Sequence, residues 1–367
     1  MDLLLTGANG FLGSQIATQW LHRHPGARIA CLVRGADPEA AGARLHAALA
    51  QAVTDQDMQA DLAELASRVT VIQGDLTETS WIRQAGAWLR GPAEIFHCAA
   101  NLSFREVDRA AVWRTNVDGT AALLAALPSL PEVAAFNYVS TAYVAGDRAG
   151  DILETETDRP AHFHNPYEES KWTAEQQVRA VCGARGTPYR IFRPSIIIAH
   201  SVTHRMASAS GFYKVAETLA QLGQSKRTAD RAIRLTVPAG ATLDLIPVDM
   251  VVDEILGLMA LGARSVDQTF HVTSASPLGL GDVLTRLAPM SGIAIGTGPE
   301  AAQPSPLGDR VMRGLHYYLP YLSQVRRFGR HNVEALSVSD GQTALGLDVE
   351  ALRGFVQSYL ADPQRTA

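Results

Sequence analysis

Tyr167 and Lys171, four residues apart in NPYEESKWTAE, form a pair able to move a proton. The AEQQVRA that follows favours a helix, and helical spacing puts both side chains on one face, one turn apart. An ammonium beside a phenol favours the phenolate, so the pair can hand a proton to a carbonyl oxygen. The same spacing also describes an ordinary helix surface. The chemistry therefore needs a cofactor and further polar groups brought to the same place.

A cofactor site is written at the start of the chain. The turn TGANGFLG runs from Thr6 to Gly13 and directly follows an apolar strand. Gly7 can make the tight turn, Gly10 can let a pyrophosphate approach the backbone, and Gly13 can let the next helix pack closely. Thr6, Asn9, Phe11 and Leu12 share that turn, and the helix start behind it offers N–H groups to phosphate. The second strand ends in CLVRG, with Arg34 where a ribose-binding carboxylate would select NADH, and Arg44 lies just beyond. Guanidinium groups suit a 2′-phosphate, which points to NADPH, although Arg34 also reads as a solvated strand end. Asp75 and Leu76 close the third strand, where Asp75 can reach an adenine edge. Ala99 and Ala100 follow the fourth, small enough for a cofactor to lie against the backbone.

These residues need a scaffold, and the first 200 positions supply its pattern. Apolar runs alternate with helical stretches, as in a parallel sheet covered on both faces. Strands are expected at DLLLT, RIACLV, VTVIQ, AEIFH, AAFNYVS and YRIFR. Helices are expected from Gly13 to His22, from Asp37 to Ala66 with a break, from Asp108 to Leu127 and from Pro166 to Cys182. The fold class is α/β, Rossmann-like, with an NADP(H)-binding domain over residues 1–200. Residues 201–367 form a smaller α/β substrate lobe, with 242–275 returning a strand and a helix to the core.

Composition narrows the partners. The 367 residues are 47% hydrophobic and 19% charged, as in folded proteins, and the formal charge of −5 disfavours nucleic acid and anionic membrane surfaces. Cys31, Cys98 and Cys182 are too few and scattered for a disulfide scaffold or a structural zinc site. With no basic leader or long apolar span before the first strand, a cytoplasmic protein is expected.

In order, TGANGFLG, CLVR, GDL, HCAA, NVDGT, YVSTAYV, NPYEESK and RPS resemble the extended short-chain dehydrogenase/reductase family. CLVRG with Arg44–Leu45, STAYV, SKWTAE and LIPVDMVVDEIL are most similar to its thioester reductase and fatty acyl-CoA reductase branch. The resemblance implies that Tyr167 is the catalytic acid and that Lys171 lowers its pKa and holds the nicotinamide ribose. It implies that Thr141 binds the substrate oxygen, that Asn116 supports the network, and that Pro194 and Ser195 pass beside the nicotinamide. Ser140, on the opposite strand face from Thr141, goes with the cofactor contacts. Asn116 equally suits a cap for buried polar groups.

The activity so implied is NADPH-dependent reduction of an acyl thioester to an aldehyde, with possible onward reduction to an alcohol. The thioester, an acyl-CoA or acyl carrier protein, is expected in trans, and no cysteine nucleophile is needed, which leaves Cys98 to packing. The alternative is chemistry on a ketone, aldehyde or hydroxyl of a sugar nucleotide, steroid or polyketide-like substrate; Gly146 after STAYVA is shared with sugar- and steroid-active members. Lys226, Arg227, Arg231 and Arg234 suit either carrier phosphates or a solvated face. Arg326, Arg327 and Arg330 beside Tyr317, Tyr318 and Tyr321 suit an acyl tunnel, a patch for peripheral membrane contact or plain core. Oligomer formation stays open.

Overall fold

The branched and aliphatic runs of the first half pair into one sheet because each can be buried on both faces. The strands are β1 (Asp2–Thr6), β2 (Ile29–Val33), β3 (Val69–Gln73), β4 (Ala93–His97), β5 (Val133–Val139), β6 (Tyr189–Pro194) and β7 (Gln268–Val272). Their order is β7–β6–β5–β4–β1–β2–β3, parallel throughout. Every position of β2 and of β4 is buried, so neither shows the alternation of a half-exposed strand. The computed structural model describes residues 2–206, 211–223, 233–235, 238, 240–291, 295–297, 316–322, 324–336 and 347–361.

Helices cover both faces. We number them α1 (Phe11–Arg23), α2 (Pro38–Asp55), α3 (Ser80–Trp88), α4 (Gly119–Ala126), α5 (Pro166–Arg185), α6 (Gly211–Gly223), α7 (Val248–Ala260), α8 (Leu280–Ser291) and α9 (Val349–Ala361). One core joins the sheet to α1, α2 and α7 through Ile16, Trp20, Leu45 and Ile255; the other joins it to α3, α4 and α5 through Trp81, Leu123 and Val178. The helical stretch after Asp37 divides into α2 and a short helix, Leu62–Ser67. Helix α3 is an element that the pattern reading does not anticipate. The stretch after Asp108 is interrupted by a π-turn at Arg114–Asp118.

A second cluster lies beyond β6, where α6, α8 and α9 meet through Phe212, Val283, Leu287, Leu352 and Phe355. A short strand pair, Ile196–Ile198 with Leu245–Pro247, runs through this cluster, and another, Gly150–Ile152 with Arg326–Phe328, packs beside Tyr143 and Tyr321. Such pairs join residues 49 or more positions apart in register, which explains why three-residue strands leave little trace in local pattern. Gly146, in the left-handed region at φ 58°, is demanded by the turn itself, since a Cβ there would come within 2.3 Å of the His162 carbonyl oxygen.

Helix α5 sets the site. Asn165 caps it by accepting from the Glu168 N–H at 3.0 Å, Pro166 occupies the first turn, and Gly186 ends it at φ 64°. Its inner face is fastened to β6 by a buried fork: Arg193 Nε and Nη2 donate to Glu175 Oε1 and Oε2 at 2.9 and 2.8 Å. Burial alone would raise the Glu175 carboxyl, but Arg193 and Arg179 outweigh it and hold it at about 2. Its contribution to stability is complete above the ordinary value of 4.5 and is lost as pH falls toward 2. Arg193→Met leaves the buried Glu175 carboxylate with Arg179 alone, at 3.1 Å, and should cost about 3 kcal/mol in urea unfolding at neutral pH. The deficit should narrow as pH drops below the normal glutamate range, and a neutral-pH loss under about 1 kcal/mol would mean that the fork does not hold the helix.

Candidate active site

Strand order reverses between β1 and β4, and open parallel sheets place ligands at the carboxyl ends of such neighbours. The two strand ends approach closely there. Gly7 has φ 77°, and a Cβ on it would lie 2.6 Å from the Ala99 nitrogen; a Cβ on Gly13 would lie 2.2 Å from the Gly7 carbonyl oxygen. Gly10 donates to that carbonyl at 2.9 Å and begins α1 with no side-chain cap, so the first N–H groups of the helix stay available. Thr6, Asn9, Phe11 and Leu12 join these glycines in lining a cavity of about 1050 Å³.

At one end of the cavity stand Arg34, Asp75, Leu76, Ala99 and Ala100. Arg44 is not among its walls: its guanidinium donates to the Arg34 carbonyl oxygen at 2.7 Å and so props the end of β2. Arg114 lines this end instead, and residue patterns alone do not single it out. It lies two residues before Asn116, just outside the NVDGT motif. The Thr77 N–H, together with Arg34 and Arg114, holds the Asp75 carboxyl below the usual carboxylate range.

Tyr167, Lys171, Thr141, Ser140, Pro194 and Ser195 line the middle of the cavity. Burial pushes the Tyr167 phenol upward, opposite to the shift that Lys171 alone would give, while the nearby Thr141 hydroxyl favours the ionised form. Lys171 is itself weakened as a cation there: its Nζ sits 4.1 Å from the centre of the Tyr138 ring, and burial brings the ammonium down to about 7, although Glu175 favours the charge. A phenol that keeps its proton is what a general acid requires. Cys98 also faces the cavity, and burial pushes its thiol up to about 11, so it carries no thiolate at neutral pH.

Asn116 stands behind the cavity wall. On the π-turn, its Oδ1 accepts from the Asn101 N–H at 2.7 Å and its Nδ2 donates to Asn101 O and Ser170 Oγ at 3.0 and 2.9 Å. Ser170 in turn donates to the Tyr167 carbonyl oxygen at 2.8 Å. His97 braces the same region from below. Thr120 Oγ1 donates to the Asn116 carbonyl oxygen, so it accepts from His97 Nε2 at 2.9 Å, and His97 Nδ1 accepts from Thr6 Oγ1 at 2.7 Å. The network thus assigns a neutral Nε2–H imidazole, in keeping with a pKa lowered to about 3 by burial and by Lys171.

Beyond Tyr167 the wall turns apolar, with Phe104, Phe212, Leu243, Leu284, Tyr318 and Tyr321. The C-terminal arginines take separate places, none on the cavity wall. Arg330 pairs with buried Glu254 at 2.7 Å, Arg327 pairs with Asp151 at the surface, and Arg326 is buried over the Tyr143 ring. Lys226, Arg227 and Arg231 lie outside the described residues, and of Arg234 only the backbone, in the strand Ile233–Leu235, is described. Among the described residues no helix is long and apolar enough to cross a membrane.

The NAD-binding family described as Male sterility protein matches residues 5–255. The chain belongs to this family. It is 28% identical over 277 residues to the carboxylic acid reductase of Segniliparus rugosus, covering 71% of this chain and 23% of that protein, so it spans about a quarter of the relative's length. The terminal R domain from the myxalamid PKS-NRPS pathway superposes with a TM-score of 0.78 at 23% identity, over 98% of this chain and 90% of that one. A thiolation-reductase di-domain from an archaeal non-ribosomal peptide synthetase gives 0.73 at 22% identity, over 98% and 75%. These superpositions establish the Rossmann-like α/β fold. For a member of the Male sterility protein family, the crevice fits its nicotinamide dinucleotide: the Gly7–Gly13 backbone lies open to phosphate, and cationic Arg34 and Arg114 stand at one end.

Lys171 also links the site to stability. A group held at about 7 in the fold and near 10.5 when unfolded binds fewer protons in the native state between those values, so its burial costs most below pH 7. Lys171→Met should therefore raise the melting temperature by a few degrees at pH 6, with the gain shrinking toward pH 10. A gain that grows with pH would contradict the depressed ammonium.

Proposed function

We propose that this chain uses NADPH to reduce an acyl thioester, presented on an acyl carrier protein or on CoA, to an aldehyde. The observation that carries this reading is one continuous cavity joining the glycine turn, the Tyr167–Lys171–Thr141 group and an apolar limb. A sugar nucleotide would need several polar and cationic partners in that limb, where Lys214, already paired with Glu217 at 2.9 Å, stands among Phe212, Leu243, Leu284 and Leu287.

The Gly7–Gly13 turn and Lys171 hold the dinucleotide, and Arg34 meets its 2′-phosphate. Bound NADPH supplies the hydride for the carbonyl carbon. Thr141 and Tyr167 hydrogen-bond the carbonyl oxygen as negative charge gathers there, and Tyr167 delivers its proton. The resulting hemithioacetal breaks its C–S bond, giving the aldehyde and a free thiol. Cys98, held as a neutral thiol, takes no part, and no acyl-enzyme forms.

The test is loss of nicotinamide absorbance with acyl-CoA, acyl carrier protein thioester, free aldehyde and ketone panels, with products identified. Turnover of aldehydes without any thioester would overturn the thioester half. Tyr167→Phe should lower kcat by about 10²-fold or more while NADPH still binds; unchanged turnover would remove Tyr167 from the acid role. Arg34→Ala should weaken NADPH by about tenfold more than NADH, as expected for losing a charge-assisted phosphate contact, and equal weakening of both would refute that contact.

A further inference from the structure

Tyr321 lies 154 residues after Tyr167 in the chain and is buried against all three segments that carry the site. Its ring stacks on Phe104 at 5.7 Å and 19°, and Phe104 is itself 5.9 Å from the Tyr167 ring. The same ring meets Tyr143, two residues after Thr141, edge-on at 4.7 Å and 77°. Its hydroxyl accepts from Asn165 Nδ2 at 2.8 Å and donates to Glu168 Oε1 at 2.5 Å.

Those two partners flank Pro166 and Tyr167. Asn165 is the cap of α5 and Glu168 is three residues on, the spacing of a capping box. In a capping box the acidic side chain turns back to the N–H of the cap residue. Glu168 departs from this: its Oε2 accepts from the N–H of His164, one residue earlier, at 2.9 Å, and its other oxygen goes to Tyr321. The carboxyl is fully buried, so each of these donors offsets a desolvation cost that burial otherwise imposes. Arg326, whose terminal nitrogens have no hydrogen-bond partner among the described residues, adds only its charge to that balance. The first turn of the helix bearing Tyr167 is thus closed by a hydroxyl from the C-terminal segment.

We propose that Tyr321 is a positioning residue for Tyr167, setting the first turn of α5 through the bond of its hydroxyl to Glu168. The proposal rests on the reductase reading above. Geometry of the acid matters more to the reaction than to ground-state binding, because misplacement by about 1 Å can cost a hundredfold in rate.

The test uses the full chain with NADPH and whichever thioester is turned over. Tyr321→Phe keeps the ring and removes the hydroxyl. It should lower kcat about tenfold with the thioester KM and the NADPH Kd within about twofold of the parent. Glu168→Leu, which removes the acceptor, should lower kcat at least as much, and the double variant should be no slower than Glu168→Leu, because the Tyr321 hydroxyl acts through that carboxyl. Full kcat in Tyr321→Phe, multiplying losses in the double variant, or a rise in KM at constant kcat would each overturn the proposal; the last would make Tyr321 only a wall of the acyl limb. Should Tyr321→Phe fold poorly by melting temperature, the comparison of kcat with KM in Glu168→Leu decides the matter. Tyr167→Phe, run alongside, separates the two readings, since turnover surviving there defeats the reductase mechanism whatever Tyr321 does.

Discussion

The fork between Glu175 and Arg193 is the contact on which the site depends most. Tyr167, Lys171 and Glu175 recur at four-residue steps along α5, so phenol, ammonium and carboxylate form one stripe. The fork fastens the last of the three to β6, and that places the first two against the carboxyl edge of the sheet. It also supplies negative charge one turn from Lys171, in a region where burial alone would strip the ammonium of its proton. Removing either partner of such a pair costs far more than the pair gains over an apolar equivalent. Its structural value lies in fixing the helix at one register against the strand.

From that anchor the cavity divides by chemistry. Toward β1 and β2 its walls are the glycine backbone with Thr6, Asn9, Asp75 and the cations Arg34 and Arg114, and close packing against Ala99 and against the Gly7 carbonyl explains why Gly7 and Gly13 carry no side chain. Toward α6 and α8 the walls are leucine, valine and aromatic side chains from a separate core. The hydroxyls of Thr141 and Tyr167 stand at the boundary. A reacting carbonyl with one polar and one apolar side would be oriented by this contrast before any hydrogen bond forms.

Much of the scaffold is legible in sequence because its signals are local. Six strands of the sheet coincide with short runs rich in apolar residues, and α5 is announced by Asn165, Pro166 and the helix formers behind them. Helix α3 escaped because its nine residues carry only two buried positions, Trp81 and Ala85, too few to show a period. Arg44, expected at the cofactor end, bonds the Arg34 carbonyl oxygen and is not on the cavity wall, whereas Arg114, which no motif singles out, is. Both are arginines near a strand end or a motif, and only the path of the chain decides which of them reaches the cavity.

Residue order by itself determined the strand–turn–helix at Thr6–Gly13, the helical stripe of Tyr167 and Lys171, and the hydroxyl of Thr141 at a strand end, since each follows from backbone sterics or periodicity within a few residues. Tertiary structure alone decided the direction of the Tyr167 shift, the partners of Asn116 in Asn101 and Ser170, the separate fates of Arg326, Arg327 and Arg330, and the closure of α5 by Tyr321. Each of these depends on burial and on charge supplied by segments distant in the chain, and desolvation is a property of an assembled volume that neighbours in sequence do not specify.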